Sequence, residues 1–219
     1  MKTIDPNKIW VGDVVLVATG TKATITVQKK LGYGERSQWT HVAASIGGHD
    51  LVEGQIPKSR VCSLQKDYVE KGMTIKVMRK TFEKDSDRIK VALWWATMNN
   101  MPYDYIQLAW FPWLAWVLGE ARIKVHNLFN SKKRLICSEL IANGFYKQGY
   151  NLFDRPAWDI LPADFADPKL FEEVGDVWMG EKSAVFSRNY VAKLANDFVS
   201  EVITYKEFFD QLPSDVTDD

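Results

Sequence analysis

The stretch THVAASIGGHDLVEG, from Thr40 to Gly54, predicts a β-hairpin. Small and β-branched apolar residues flank the segment Gly47–Asp50, whose composition is typical of a tight turn. His41 opens the first strand, and Glu53 follows twelve residues later in the second. A three-residue loop or a β-bulge would put both side chains on one face of the sheet, whereas a plain two-residue loop would not. The alternatives are a structural histidine and a surface glutamate on an edge strand.

A second stretch, RLICSELI from Arg134 to Ile141, puts a cysteine near the start of a helix predicted over residues 132–149. Free N–H groups and the helix dipole favour a thiolate at such a position, and the basic run Lys132–Arg134 would strengthen that field. The alternative for Cys137 is a buried, inert thiol that packs like a small hydrophobe. Cysteine, histidine and a carboxylate are the components of an activated thiol nucleophile. The function therefore depends on whether the fold brings the three residues together.

The composition predicts a soluble, globular chain without a strong electrostatic preference. Its 219 residues are 46% hydrophobic and 26% charged, with 28 basic and 28 acidic side chains. This balance predicts one generous domain and argues against nucleic acid as a partner. Two cysteines give no disulfide framework, and the N-terminus lacks an apolar signal core, so a cytoplasmic location is expected. His49 and His126 are expected at the surface, and no zinc-like spacing appears, so neither a metal nor a cofactor is expected.

The other patterns predict an α+β fold in which strands precede the main helices. The continuous apolar run Val14–Ala18 suits a strand that is buried on both faces. Ile89, Leu93 and Ala96 fall on one face of a helix predicted over 87–99. Further strands are predicted at 23–27, 72–78 and 171–174.

Six short motifs occur in the following chain order: GDVVL at 12–16, THVAASIGG at 40–48, LVEG at 51–54, MPYD at 101–104, CSEL at 137–140 and LPAD at 161–164. Taken together, they resemble the NlpC-type papain-like hydrolases. In those proteins a Gly-Asp-led strand precedes a histidine strand, and the third polar residue has the same twelve-residue offset. The usual members carry the cysteine helix before these strands, whereas here it follows them. That order resembles the circularly permuted, YiiX-like branch, which is related to lecithin retinol acyltransferase.

The resemblance covers about residues 9–174. It implies a permuted papain-like catalytic domain over 1–175, in which an antiparallel sheet packs against the cysteine-bearing helix. Residues 176–219 depart from the family pattern and are expected to form a C-terminal extension that packs on or flanks this domain. The implied activity is the cleavage of an amide bond, in a peptide or a cell-wall fragment, through an acyl-thioenzyme. The substrate stays open because Ala43-Ala44 replaces the usual Gly-Ile and a long aromatic insert precedes the cysteine helix.

The resemblance also implies a role for each candidate site residue. Cys137 would be the nucleophile, His41 the general base and Glu53 the orienter of the imidazole. Tyr103 resembles a tyrosine that lines the cleft and would contact the substrate carbonyl. These assignments make the catalytic interpretation of Cys137 more favourable than the structural one.

The aromatic run Tyr105–Leu118 is the other unusual feature. It is shorter than the ~20 apolar residues of a membrane-spanning helix, and Pro112 interrupts it. It fits either a buried helical pair over the sheet or a functional surface, namely an acyl-chain groove or a surface that rests on a membrane. The second case would favour a lipid-directed thioesterase or acyltransferase with the same triad. A third alternative is a non-catalytic binding module, favoured if Glu53 points away from His41 or if Cys137 is buried. The oligomeric state is left open.

Overall fold

The computed structural model describes residues 8–103 and 136–175. All of them belong to one compact unit of the chain, Met1–Val185, while the next unit, Phe186–Asp219, lies outside the described residues. The aromatic run, the basic run before Cys137 and the C-terminal extension lie outside them as well, so what the sequence predicts for those segments stays a prediction. Within the described ranges, none of the helices is long and apolar enough to cross a membrane.

Six strands form one antiparallel sheet, which together with the helices confirms the α+β class. The strands are β1 Val14–Ala18, β2 His41–Gly47, β3 Asp50–Glu53, β4 Arg60–Ser63, β5 Thr74–Arg79 and β6 Glu172–Glu173. Their spatial order is β4-β3-β2-β1-β5-β6, and each pairs with its neighbours in antiparallel fashion. The hairpin of β2 and β3 therefore lies inside the sheet rather than at its edge.

The strand β1 is buried on both faces, as its continuous apolar run predicts. Because alternate side chains of a strand point to opposite faces, Val14 and Leu16 pack in a core that includes the helices. Val15 and Val17 pack in a second core on the other face. All four side chains are inaccessible to solvent.

Within residues 8–103 and 136–175, three α-helices complete the main elements: α1 Lys22–Lys30, α2 Asp85–Thr97 and α3 Cys137–Lys147. The third packs against both β2 and α2. Gly144 permits the close approach of the two helices, because a Cβ there would overlap the indole of Trp95. The same indole donates its N–H to the carbonyl oxygen of Ile141 at 3.2 Å. This packing fixes the axis of α3 and, with it, the position of its first residue.

The strand predicted at 23–27 is wrong, because the structure places α1 there. Its β-branched residues are mostly partly exposed or exposed, and the helix buries Val27 and Gln28 instead. The Gln28 amide donates to the carbonyls of Ser37 and Trp39, at 2.9 and 3.0 Å, and accepts the N–H of Ala163 at 3.1 Å. These buried hydrogen bonds favour the helix over the weak strand propensity of the segment.

The helix α2 begins two residues earlier than predicted and buries a different face. Asp85 lies in its first turn, and the residue that precedes the helix is Lys84. Ile89 and Leu93 do share a face, but that face is exposed. The buried side chains are those of Val91, Ala92 and Trp95. The last strand is shorter than predicted, Glu172–Glu173, and the strand predicted at 72–78 is observed at Thr74–Arg79.

Candidate active site

The hairpin of β2 and β3 contains a β-bulge, one of the two arrangements that place His41 and Glu53 on the same face. Ala43 lies opposite Glu53, and the register shifts between Ser45 and Gly47. His41 is two residues from Ala43 and therefore points to the same face. The bulge thus supplies the extra residue that a plain two-residue loop would lack.

His41 and Glu53 form a short, buried hydrogen bond. Nε2 of His41 lies 2.6 Å from Oε2 of Glu53, and the two side chains are 15% and 2% exposed. This bond occupies Nε2 and leaves Nδ1 as the ring nitrogen available to a thiol. Glu53 is therefore neither on an edge strand nor at the surface.

Two further donors, which the sequence does not predict, bind the same carboxylate. Nε of Arg60 donates to Oε1 of Glu53 at 2.8 Å, and the hydroxyl of Tyr68 donates to Oε2. Burial alone would raise the pKa of Glu53. The pKa is instead lowered to about 2 by the hydrogen bond and charge of His41, followed by the hydrogen bond of Tyr68 and the charge of Arg60. Glu53 is therefore a carboxylate at neutral pH.

Cys137 is the first residue of α3, where the sequence predicts a cysteine near a helix start. Its backbone lies against the end of β3: a Cβ on Gly54 would lie 3.0 Å from both Cα and N of Cys137. The sulfur interacts with His41 and with the backbone N–H groups of Val42 and Ser138. The structure thus brings Cys137, His41 and Glu53 together at the ends of β2 and β3.

The electrostatics of the three residues favour a thiolate–imidazolium pair. Burial raises the pKa of Cys137, but the charge and hydrogen bond of His41, with the N–H groups of Val42 and Ser138, lower it below its ordinary value. Burial lowers the pKa of His41, yet the thiolate of Cys137 and the carboxylate of Glu53 raise it to about 10. Opposite shifts of this kind are typical of an activated thiol and its base.

The other cysteine has the opposite character, although its burial is almost the same. Cys62 and Cys137 are 6% and 7% exposed. Burial raises the pKa of Cys62 well above its ordinary value, and the nearby negative charge of Glu53 raises it further. A neighbouring imidazolium makes one thiol acidic, and a neighbouring carboxylate keeps the other protonated.

The remaining candidates are Tyr103 and two histidines. Tyr103 is buried, and its backbone N–H donates to the carbonyl of Pro57 at 3.0 Å, in the segment that follows β3. Its substrate-binding role stays a prediction. His49 is exposed in the hairpin turn, and His126 lies outside the described residues. Among the residues that the structure describes, no group of three or more His, Cys, Asp or Glu side chains could bind a metal ion.

Arg60 could have been found from the sequence once the pairing of β3 with β4 was known, because it lies directly opposite Glu53. Tyr68 carries no comparable signal, since it lies on an irregular π-helical turn, Leu64–Val69, that has no sequence period.

No family model and no curated protein matches this chain. Membership of the permuted NlpC-type group therefore stays a prediction from the order and spacing of the motifs.

Proposed function

We propose that this protein is a papain-like cysteine hydrolase that cleaves an amide bond through an acyl-thioenzyme, with Cys137, His41 and Glu53 as its triad. One observation supports this most strongly: the thiol interacts with an imidazole whose other nitrogen is bound by a buried carboxylate. A structural cysteine needs neither partner. The papain-like architecture and the permuted family are part of the same proposal.

The first half of the reaction acylates the enzyme. The Cys137 thiolate attacks the carbonyl carbon, and N–H groups in the first turn of α3, that of Cys137 among them, stabilise the oxyanion. The tetrahedral intermediate collapses, the C–N bond breaks, and His41 gives its proton to the leaving nitrogen. The products are a thioester on Cys137, a free amine and a neutral imidazole. Glu53 fixes the ring so that one nitrogen is directed at the sulfur.

The second half releases the acyl group. Neutral His41 takes a proton from water, the hydroxide attacks the thioester, and the C–S bond breaks to give a carboxylic acid and the thiolate. His41 ends protonated, so the pair is regenerated without a cofactor. The proposed substrates are peptides or cell-wall fragments, in which amide bonds of this kind occur.

One observation favours a second candidate, a non-catalytic binding module with the same fold. Cys137 is only 7% exposed, and a buried cysteine is what that alternative predicts. The position of Glu53 counts against it, because the carboxylate points toward His41 and binds it. The lipid-directed thioesterase or acyltransferase depends on the aromatic run, which lies outside the described residues, and stays a prediction.

Peptide-resolved labelling with iodoacetamide separates the two candidates. We expect Cys137 to be alkylated with a midpoint well below the ordinary thiol value of ~8.5, and Cys62 to resist alkylation until far higher pH. Because the two thiols are almost equally buried, Cys62 is an internal control for accessibility. Failure of Cys137 to react at neutral pH, or labelling of both cysteines together, would remove the support for catalysis.

The variant Cys137→Ala gives the complementary measurement. It should retain the circular dichroism spectrum of the wild type and lose all turnover of any peptide or cell-wall amide that the wild type cleaves. Turnover at the wild-type rate in this variant would end the proposal.

A further inference from the structure

The carboxylate of Glu53 accepts hydrogen bonds from three side chains and also faces the thiol of Cys62, so it is not reserved for the imidazole. Its Oε2 accepts both Nε2–H of His41 and the hydroxyl of Tyr68. Its Oε1 accepts Nε–H of Arg60 at 2.8 Å. The bond from Nε2–H of His41 is enough to orient the imidazole. The bonds from Arg60 and Tyr68 therefore act on the carboxylate itself.

The two additional donors are themselves fixed in place. Arg60 also donates to Oδ1 of Asp67 at 3.3 Å, and Oδ2 of Asp67 accepts the N–H of Ser63 at 2.9 Å. Tyr68 is buried, and its ring lies 6.4 Å from that of His41 with 28° between the ring planes. Strand pairing places Arg60 opposite Glu53, and the π-helical turn places Tyr68. Both donors are therefore built into the fold.

A positive charge next to a carboxylate weakens the electrostatic attraction between that carboxylate and its other cationic partners. The guanidinium of Arg60 and the hydroxyl dipole of Tyr68 both make the potential at His41 less negative. Without them, Glu53 would bind the imidazolium more strongly. Such an imidazolium would be a weaker acid toward the leaving nitrogen.

We propose that Arg60 and Tyr68 are positioning residues that moderate the attraction of Glu53 for protonated His41, so that His41 can give up its proton in the acylation step. This inference rests on the proposed function. It assigns a role to two residues outside the triad, both of which act through Glu53 and neither through direct contact with the reacting atoms.

The sign of the effect follows from the charged and titratable groups around the site. Glu53 faces His41 of β2, Arg60 and Cys62 of β4, and Tyr68 of the π-helical turn, with Asp67 beyond Arg60. His41 in turn faces Cys137 of α3. Removal of a positive charge or a donor dipole favours the protonated form of both His41 and Cys137. Both titration midpoints should therefore rise together.

If the substitutions only disturbed the geometry of the site, the titration midpoints of Cys137 and His41 would shift in a different way. If the variants only separated the three residues, Cys137 would lose the imidazolium and its midpoint would rise. His41 would at the same time lose the carboxylate and its midpoint would fall. The two measurements taken together thus distinguish moderation of the charge from loss of the geometry.

The experiment compares Arg60→Gln and Tyr68→Phe with the wild type by two readouts: the pH midpoint of Cys137 alkylation, and the fraction of protonated His41 ring at pH 10 by NMR. We expect the alkylation midpoint to rise by about half a unit, since Arg60 is partly screened by solvent. This corresponds to roughly threefold slower alkylation at a fixed pH below the midpoint. The protonated fraction of His41 should increase in both variants.

Two matched controls remove the same kinds of interaction elsewhere. Tyr33→Phe removes a tyrosine hydroxyl bonded to the carboxylate of Asp164, and Arg36→Gln removes a partly exposed arginine paired with Asp167. Neither should move either midpoint. Unchanged midpoints in Arg60→Gln and Tyr68→Phe, or a lower protonated fraction of His41, would overturn the inference. Failure of the proposed function would show instead in the wild type, as a Cys137 that does not react at neutral pH.

Discussion

At the scale of single residues, neighbouring charge rather than burial separates the pKa values of the two thiols. Cys62 and Cys137 are both nearly inaccessible, yet the pKa of the first is raised and that of the second is lowered. Glu53 contributes to both shifts, directly at Cys62 and through His41 at Cys137. One carboxylate thus keeps one thiol inert and supports the ionisation of the other.

Glu53→Gln should shift the alkaline limb of the pH–activity profile to lower pH. In the wild type, activity should appear as Cys137 loses its proton and disappear as His41 loses its proton near pH 10. The negative charge of Glu53 stabilises imidazolium, so its removal lowers the pKa of His41 and shifts that limb toward neutral pH. Turnover should also fall, by up to about 10²-fold, because a neutral amide stabilises the imidazolium less than a carboxylate does.

The pH–rate profile of the variant on the same amide substrate, with an NMR titration of His41, checks this result. Glu173→Gln is the control, since Glu173 forms an ion pair with Lys76 at the other end of the sheet. An alkaline limb that stays near pH 10 in Glu53→Gln would show that the carboxylate does not act on His41.

The sequence points to Cys137, His41 and Glu53, but not to the two further side chains that bind the Glu53 carboxylate. Cysteine, histidine and glutamate are recognisable by their chemistry, and the twelve-residue spacing is local to one hairpin. Arg60 becomes a partner of Glu53 only through the register of β3 with β4. Tyr68 reaches the same carboxylate from an irregular turn. No short sequence pattern predicts the register between two strands or the conformation of an irregular turn.

At the scale of secondary-structure elements, the local sequence predicts β1 correctly but not α1. The apolar run Val14–Ala18 is buried in the centre of the sheet, so its pattern predicts its structure. The segment at 23–27 also carries β-branched residues but becomes a helix, because Gln28 at its end satisfies buried backbone groups of Ser37, Trp39 and the distant Ala163. Local propensity therefore decides only where tertiary hydrogen bonds do not oppose it.

The contact between the end of β3 and the start of α3 should be sensitive to a single methyl group. In Gly54→Ala the new Cβ would lie 3.0 Å from Cα and N of Cys137, so the backbone at the start of α3 must move. The shift required is a few tenths of an ångström. Since a displacement of about 1 Å can cost 10²-fold in rate, we expect a smaller but measurable loss of thiolate reactivity with the fold retained. Alkylation of Cys137 at neutral pH, with a thermal unfolding curve, measures both quantities.

Gly48→Ala is the matched control at the other end of the same hairpin. A Cβ on Gly48 meets no atom within 4 Å, although its φ of +62° adds some strain. This variant should lose about 1 kcal/mol of stability or more and keep the wild-type alkylation midpoint. Equal alkylation midpoints in the two variants would show that the close approach of β3 does not position Cys137.

At the scale of the whole molecule, buried ionic groups connect distant parts of the chain. Arg155 pairs with Asp164, and Tyr33 donates to the same carboxylate at 2.8 Å. This second network links the segment after α1 to the segment after α3, on residues separate from the triad. The fold thus contains at least two buried carboxyl groups in such networks, Asp164 and Glu53, and their pKa values shift in opposite directions.

Glu53 should make the folded protein sensitive to acid. Because its pKa is lowered from 4.5 to about 2, its contribution to stability is complete above pH 4.5 and is lost as the pH falls toward 2. The side chain is almost fully buried, and the shift corresponds to roughly 3 kcal/mol. The difference in unfolding free energy between wild type and Glu53→Gln should thus be largest near neutral pH and shrink below pH 4.5.

Urea unfolding of both proteins at several pH values, with Glu173→Gln as the exposed control, measures this difference. If the difference stays constant between pH 7 and pH 2.5, Glu53 is not held as a carboxylate in the folded state, and both its pairing with His41 and its sharing with Arg60 and Tyr68 lose their electrostatic basis.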